Sequence, residues 1–126
     1  MSDQASTKPK RILVVDDDPA ILDALEQMLR DEGYEVETTV KDGRYVEESL
    51  GRGLPDLIIL DMLLSGHDGR DICRTLKSRP ETTRIPIIMI SAHPSAEATS
   101  LAAGADDFLA KPFNVDALLL KVEKLL

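Results

Sequence analysis

Five short apolar runs punctuate the chain: "RILVVD", "EVETTV", "DLIILD", "IPIIMIS" and "DFLAK". Each is rich in Val, Ile or Leu and short enough to be a strand. Four of them lack clean alternation of apolar and polar positions, as expected of parallel strands covered on both faces, whereas Glu35 to Val40 alternates and reads as an edge strand. Between the runs the apolar period lengthens to that of a helix. Ile21, Leu22, Leu25, Met28 and Leu29 form one stripe, with Asp18 placed as N-cap, Pro19 as first helical residue and Gly33 just past the end. Asp68 opens a second clear helix carrying Ile72, Cys73 and Leu76, and Asn114 caps another with Val115, Leu118, Leu119, Val122 and Leu126 on one face. The pattern over 42–50 is weaker, and that over 95–103 is Ala-rich and ends at Gly104. A strand and a helix repeated five times predict an α/β fold, a doubly wound parallel sheet with helices on both faces and right-handed crossovers. Ligands of such sheets sit at the carboxyl ends of the strands, where the winding reverses.

Those ends carry, in order, Asp16 and Asp17, then Asp61, then Ser91, then Lys111. Carboxylates crowded on one rim raise each other's pKa unless a cation sits among them. A hard divalent ion such as Mg²⁺, with Mn²⁺ as a substitute, takes oxygen ligands and usually works beside a phosphate. With the acids offset in that way, a carboxylate becomes a nucleophile towards phosphorus, Ser91 a donor to one phosphoryl oxygen and Lys111 a partner for another. Phosphoryl transfer asks for little beyond such positioning and charge neutralisation. Asp61 alone ends the central run, with a flexible "SGHDG" following, while Asp16 and Asp17 come as a pair suited to a metal. Asp61 is therefore the expected acceptor.

The totals narrow the field further. A chain of 126 residues fits one domain, and at 43% hydrophobic and 30% charged it is an ordinary globule whose core, with 3% aromatics, must be aliphatic. Cys73 is the only cysteine, which excludes an internal disulfide and a structural zinc cluster and points to a reducing compartment. "MSDQASTKPK" lacks the apolar stretch of a signal peptide, and no run is long enough to span a bilayer, so a cytoplasmic protein without membrane attachment is expected. Residues 1–9 read as a mobile tail and 10–126 as the domain. The net charge of -8 argues against direct nucleic-acid binding and favours a cation or a basic partner.

The segments "ILVVDDDP", "DLIILD" followed by "GHDG", "IMISA" and "FLAKPF" resemble, in that order and spacing, the receiver domains of two-component response regulators. The likeness covers residues 11–126. It implies a flavodoxin-like sheet of strand order 2-1-3-4-5 and a Mg²⁺ site at Asp16, Asp17, Asp61 and the backbone carbonyl of Leu63. It further implies phosphorylation of Asp61 by a sensor histidine kinase or a histidine phosphotransfer protein. Ser91 matches the family's switch hydroxyl, Lys111 its lysine, and Phe108 its switch aromatic, with Lys111 followed by Pro112 in a bond that is often cis. The implied output surface is formed by the fourth helix, fifth strand and fifth helix of the repeat, acting on a downstream protein or through a homodimer. Ser65 departs from the family's usual proline, and Leu63 and His93 occupy positions that tune phosphoryl lifetime in similar domains.

Plainer readings compete at each position. The cap explains Asp18 fully. An isolated acid pair is ordinarily a solvated turn, and Lys111 alone an ordinary surface lysine; only their convergence changes that. Ser91 could cap a turn, Phe108 could be simple core, His67 and His93 loop residues, and Cys73 a buried small hydrophobe. At the level of function, the chain is expected to be a signalling module rather than an enzyme. The alternatives are a degenerate receiver that docks partners without phosphorylation, and a Mg²⁺-dependent phosphatase with an aspartyl-phosphate intermediate. The latter, which would place its nucleophile in a D-x-D at the first strand and carry a cap domain, is opposed by D-D-D with Pro following and by the lack of a cap. A flavodoxin-like cofactor binder is opposed by the acidic first loop and the absence of Trp.

Overall fold

Three of the apolar runs are buried without interruption because both of their faces are covered. In the computed structural model, which describes residues 9–39, 53–64 and 66–126, these are the strands β1 (Arg11–Val15), β3 (Leu57–Asp61) and β4 (Ile87–Ser91). Only Arg11, at the start of β1, is not fully buried. They are flanked by β2 (Glu35–Thr39) and β5 (Asp107–Ala110), giving one parallel sheet of order 2-1-3-4-5. The edge position expected for β2 is found. β5 is the other edge, and its residues are only partly covered apart from the buried Phe108.

Side chains alternate across the sheet and so divide the core in two. Ile12, Val14, Leu57, Ile59, Ile88 and Ile90 face Leu22, Leu25 and Leu29 of helix α1 (Pro19–Asp31) and Leu118 and Val122 of helix α4 (Val115–Leu125). Leu13, Val15, Ile58, Leu60, Ile87 and Met89 face Cys73 and Leu76 of helix α2 (Gly69–Ser78) and a region around the short helix α3 (Glu97–Ala102). Cys73 is buried, as expected of a small hydrophobe, and burial pushes its thiol up to about 11. No helix among the described residues is long and apolar enough to cross a membrane.

The expected caps are present. Asp18 accepts from the N–H of Ala20, Asp68 from that of Arg70, and Asn114 from those of Asp116 and Ala117. At the far end of α1, Gly33 takes φ +94, while the Gly33 and Tyr34 N–H groups donate to Arg30 and Leu29. This double closure ends the helix where a left-handed residue is needed.

Two expectations are corrected. Val115 is 48% exposed rather than on the buried face, because it opens α4 a turn before the helix reaches the sheet. The 95–103 helix begins as a 3₁₀ turn (Pro94–Ala96) and is α-helical only from Glu97 to Ala102. Beside the "SGHDG" segment, Leu63–Leu64 pairs antiparallel with His67–Asp68 in a small hairpin. Val40, the weak helix over 42–50, Ser65 and residues 1–8 lie outside the described residues.

Candidate functional site

The residues that follow β1, end β3 and follow β5 meet at the carboxyl edge of the sheet. Backbone bonds fix that edge: the N–H of Asp16 donates to Thr39, that of Met62 to Ile90 and that of Lys111 to Ser91. Asp16 is fully buried, and one of its oxygens accepts from the backbone of Asp18 at 2.9 Å. The other accepts from Lys111 Nζ at 2.9 Å, and the same Nζ lies 3.5 Å from Asp61 Oδ1. Each of Asp16, Asp17 and Asp61 offers a carboxylate oxygen, and these oxygens lie within 4.8 Å of one another. Asp17 is the exposed member, so the cluster opens to solvent on one side.

Asp61 is only 6% exposed. Burial, followed by the negative charge of Asp16, raises its pKa from 3.8 to about 6, against the opposing pull of Lys111 and of the Leu63 N–H bonded to it. Burial alone would lower Lys111, yet the hydrogen bond and charge of Asp16, with Asp61 behind them, hold it above its ordinary value. Among the described residues, the three carboxylates of Asp16, Asp17 and Asp61 gather near the Lys111 ammonium, two of them buried. An all-oxygen donor set of that kind fits a hard divalent cation.

Ser91 ends β4 beside Asp61, whose register partner is Ile90, the preceding residue. The Ser91 hydroxyl is buried and accepts from the His93 N–H at 3.0 Å, which leaves its own proton available to a further acceptor. Phe108 is buried among the apolar side chains of one face, in register with Met89 two residues before Ser91. The Lys111–Pro112 peptide is cis. Leu63 is half exposed on the hairpin and His67 lies in its ladder, while His93 precedes the 3₁₀ turn without capping it through its side chain.

One positioning residue was not singled out from the sequence. Gly69 opens α2, and its N–H donates to the Met62 carbonyl at 2.6 Å. A Cβ there would overlap the Asp61 carbonyl oxygen and stand 3.0 Å from Met62 Cα. The signal was in "GHDG", since glycine is a poor choice for a first helical turn unless backbones must touch.

The sequence pattern of the response regulator receiver domain matches residues 12–123, and the chain belongs to that family. It is 43% identical over 118 residues to the phosphate regulon transcriptional regulatory protein PhoB of Rhizobium meliloti, covering 92% of this chain and 52% of the relative. The response regulator MprA of Mycolicibacterium vanbaalenii is 39% identical over 94% of this chain and 51% of its own length. The chain thus spans about half the length of these relatives. Among solved structures, Vibrio cholerae chemotaxis protein CheY4 superposes with a TM-score of 0.86 at 30% identity, covering 94% of this chain and all of the other. The response regulator TrrA of Thermotoga maritima, solved in complex with Mg²⁺-BeF, gives 0.83 at 36% identity over 93% of this chain and 99% of the other. The Asp16, Asp17 and Asp61 pocket is that of a receiver domain, which serves Mg²⁺-dependent phosphorylation and acts as a signalling module rather than a metabolic enzyme.

The raised pKa of Asp61 has a measurable consequence in metal-free protein. Because the folded value of about 6 exceeds the unfolded 3.8, the folded state binds this proton more tightly. The stability it contributes is full below the unfolded value and is lost as pH rises through the folded one. In EDTA, the urea midpoint of wild type should therefore fall relative to that of Asp61→Asn between about pH 4 and about pH 7, and Mg²⁺ should remove the fall. A difference between the two proteins that does not vary with pH contradicts this reading.

Proposed function

We propose that Asp61 is the phosphoryl acceptor of this receiver domain, and that the domain occupies residues 10–126. The observation that carries the proposal is the convergence of three carboxylates and the Lys111 ammonium on one strand edge of a chain that belongs to this family. Mg²⁺, or Mn²⁺ in its place, would be held by Asp16, Asp17, Asp61 and the carbonyl of Leu63, and when bound it supplies the positive charge that neutralises phosphoryl oxygens. Asp61 keeps its carboxylate beside Lys111, so an ionised oxygen faces the incoming group. That oxygen forms the new bond to phosphorus as the bond from phosphorus to the donor's imidazole nitrogen breaks. The nitrogen keeps the electron pair and takes a proton from solvent.

Lys111 then turns from Asp61 to a phosphoryl oxygen, and the Ser91 hydroxyl donates to another. Drawing Ser91 inward moves the segment that follows it against Phe108, which already lies buried in the core. The altered surface is that of α3, β5 and α4. A sensor histidine kinase or a histidine phosphotransfer protein is the donor, in the cytoplasm, and a downstream protein or a second copy of the chain reads the surface. Incubation with acetyl phosphate, followed by intact-mass spectrometry, should show one phosphoryl adduct with Mg²⁺ and none with EDTA. An adduct formed equally well in EDTA contradicts the proposal, as does no adduct in either condition or from a phosphorylated histidine donor.

A further inference from the structure

The side chain of Arg70 joins the two loops that carry the site. Asp68 closes the acceptor hairpin against Leu63, caps α2, and grips the Arg70 guanidinium. Nε of Arg70 lies 3.0 and 3.1 Å from the two Asp68 oxygens and Nη2 2.6 Å from one of them. That leaves Nη1, which donates to Thr99 Oγ1 at 3.0 Å, while Thr99 Oγ1 donates to the Ala96 carbonyl at 3.1 Å. Thr99 stands on α3, the helix reached directly from Ser91. A continuous path of bonds therefore runs from the hairpin after Asp61 to the segment after Ser91.

α3 packs against β5, yet its N-terminus and its buried serine add no polar anchor among the described residues. It is six residues long, its N-cap is Ala96 with no side-chain cap bond, and the Ser100 hydroxyl on it is buried without a hydrogen-bond partner. A helix so short owes its place to tertiary contacts, and a buried unpaired hydroxyl works against it.

We propose that Arg70 is a positioning residue, a latch that holds α3 in its resting place against the acceptor hairpin until phosphorylation displaces Thr99. The proposal rests on the reading of Asp61 as acceptor and Ser91 as the group that follows the phosphoryl oxygen. A bond made only in the resting state lowers affinity for the phosphoryl group by the factor that its loss restores.

The test titrates the full chain, in Mg²⁺, with beryllofluoride as a stand-in for the phosphoryl group, followed by amide NMR, with urea midpoints measured in parallel. Arg70→Met and Thr99→Val should each bind about threefold to tenfold more tightly than wild type, the range set by one hydrogen bond. The double variant should bind no more tightly than either single one, because both remove the same bond. Thr99→Ser, which keeps the hydroxyl, should behave as wild type. Unchanged affinity with a lowered urea midpoint would mark a contact present in both states and overturn the latch, and weaker binding would overturn it in favour of a strut of the active state. Failure of wild type to bind beryllofluoride overturns the acceptor reading and the latch with it, an outcome visible before any variant is compared.

Discussion

Lys111→Met leaves the metal-free protein about 3 kcal/mol less stable at neutral pH, the cost of removing one partner from a buried ion pair. The reason lies with Asp16. It is fully buried, its two oxygens are satisfied by the Asp18 backbone and by Lys111, and no part of it reaches bulk water. Without the ammonium, Asp16 and Asp61 face each other as like charges. Lys111 also lowers the Asp61 pKa, so its loss drives that group further up and makes the penalty shrink as pH falls and one carboxyl takes a proton. Urea unfolding across pH, with and without Mg²⁺, checks this: the loss should be largest in EDTA near neutrality and partly recovered by the cation. A variant as stable as wild type in EDTA would show that the pair contributes nothing. The same variant should accept phosphoryl groups poorly, since one phosphoryl oxygen loses its partner.

Gly69→Ala should be nearly as damaging although it adds a single methyl group. The atoms that a Cβ would strike, the Asp61 carbonyl oxygen and Met62 Cα, are backbone, so no rotamer change relieves the overlap. Relief requires the hairpin to move away from α2, which also stretches the Gly69–Met62 hydrogen bond. Overpacking of this kind costs about 2 kcal/mol. Because the displaced backbone belongs to Asp61 itself, adduct formation from acetyl phosphate should slow by about a hundredfold, the scale of an ångström's misplacement in a reacting group. Rates within a factor of about two of wild type would mean that the hairpin yields without moving the carboxylate.

Much of this was readable from residue order because the sheet is parallel and buried. β1, β3 and β4 announce themselves as apolar runs since both of their faces are covered, and the polar residues at or just past their ends, Asp16, Asp61 and Ser91, stand out for the same reason. The caps at Asp18, Asp68 and Asn114 were readable because each is a local bond to backbone two or three residues on. Non-local geometry was not. Gly69 matters through a backbone eight residues earlier, and Arg70 through a hydroxyl 29 residues later, distances at which no period or propensity speaks. The hairpin after Asp61 depends on two residue pairs, too few to leave a strand pattern. Val115 misled because an apolar residue in helical phase was counted inward without regard to where the helix first touches the sheet.

The same physics ties the site to its switch. Burial and the neighbouring acids raise the Asp61 pKa against the pull of Lys111, and a divalent cation held by the three carboxylates would offset their charge and suit the pocket to a group carrying further negative charge. Ser91 and the Arg70 latch then bear on α3 from the segment that precedes it and from α2, and α3 is a six-residue helix without a side-chain N-cap.

The central claim is that the phosphoryl group resides on Asp61. Intact-mass spectrometry of wild type and Asp61→Asn, each incubated with acetyl phosphate and Mg²⁺, tests it most directly. A single phosphoryl adduct on wild type that is absent from Asp61→Asn is the expected result. An adduct of equal occupancy on Asp61→Asn would place the chemistry on another residue and contradict the account.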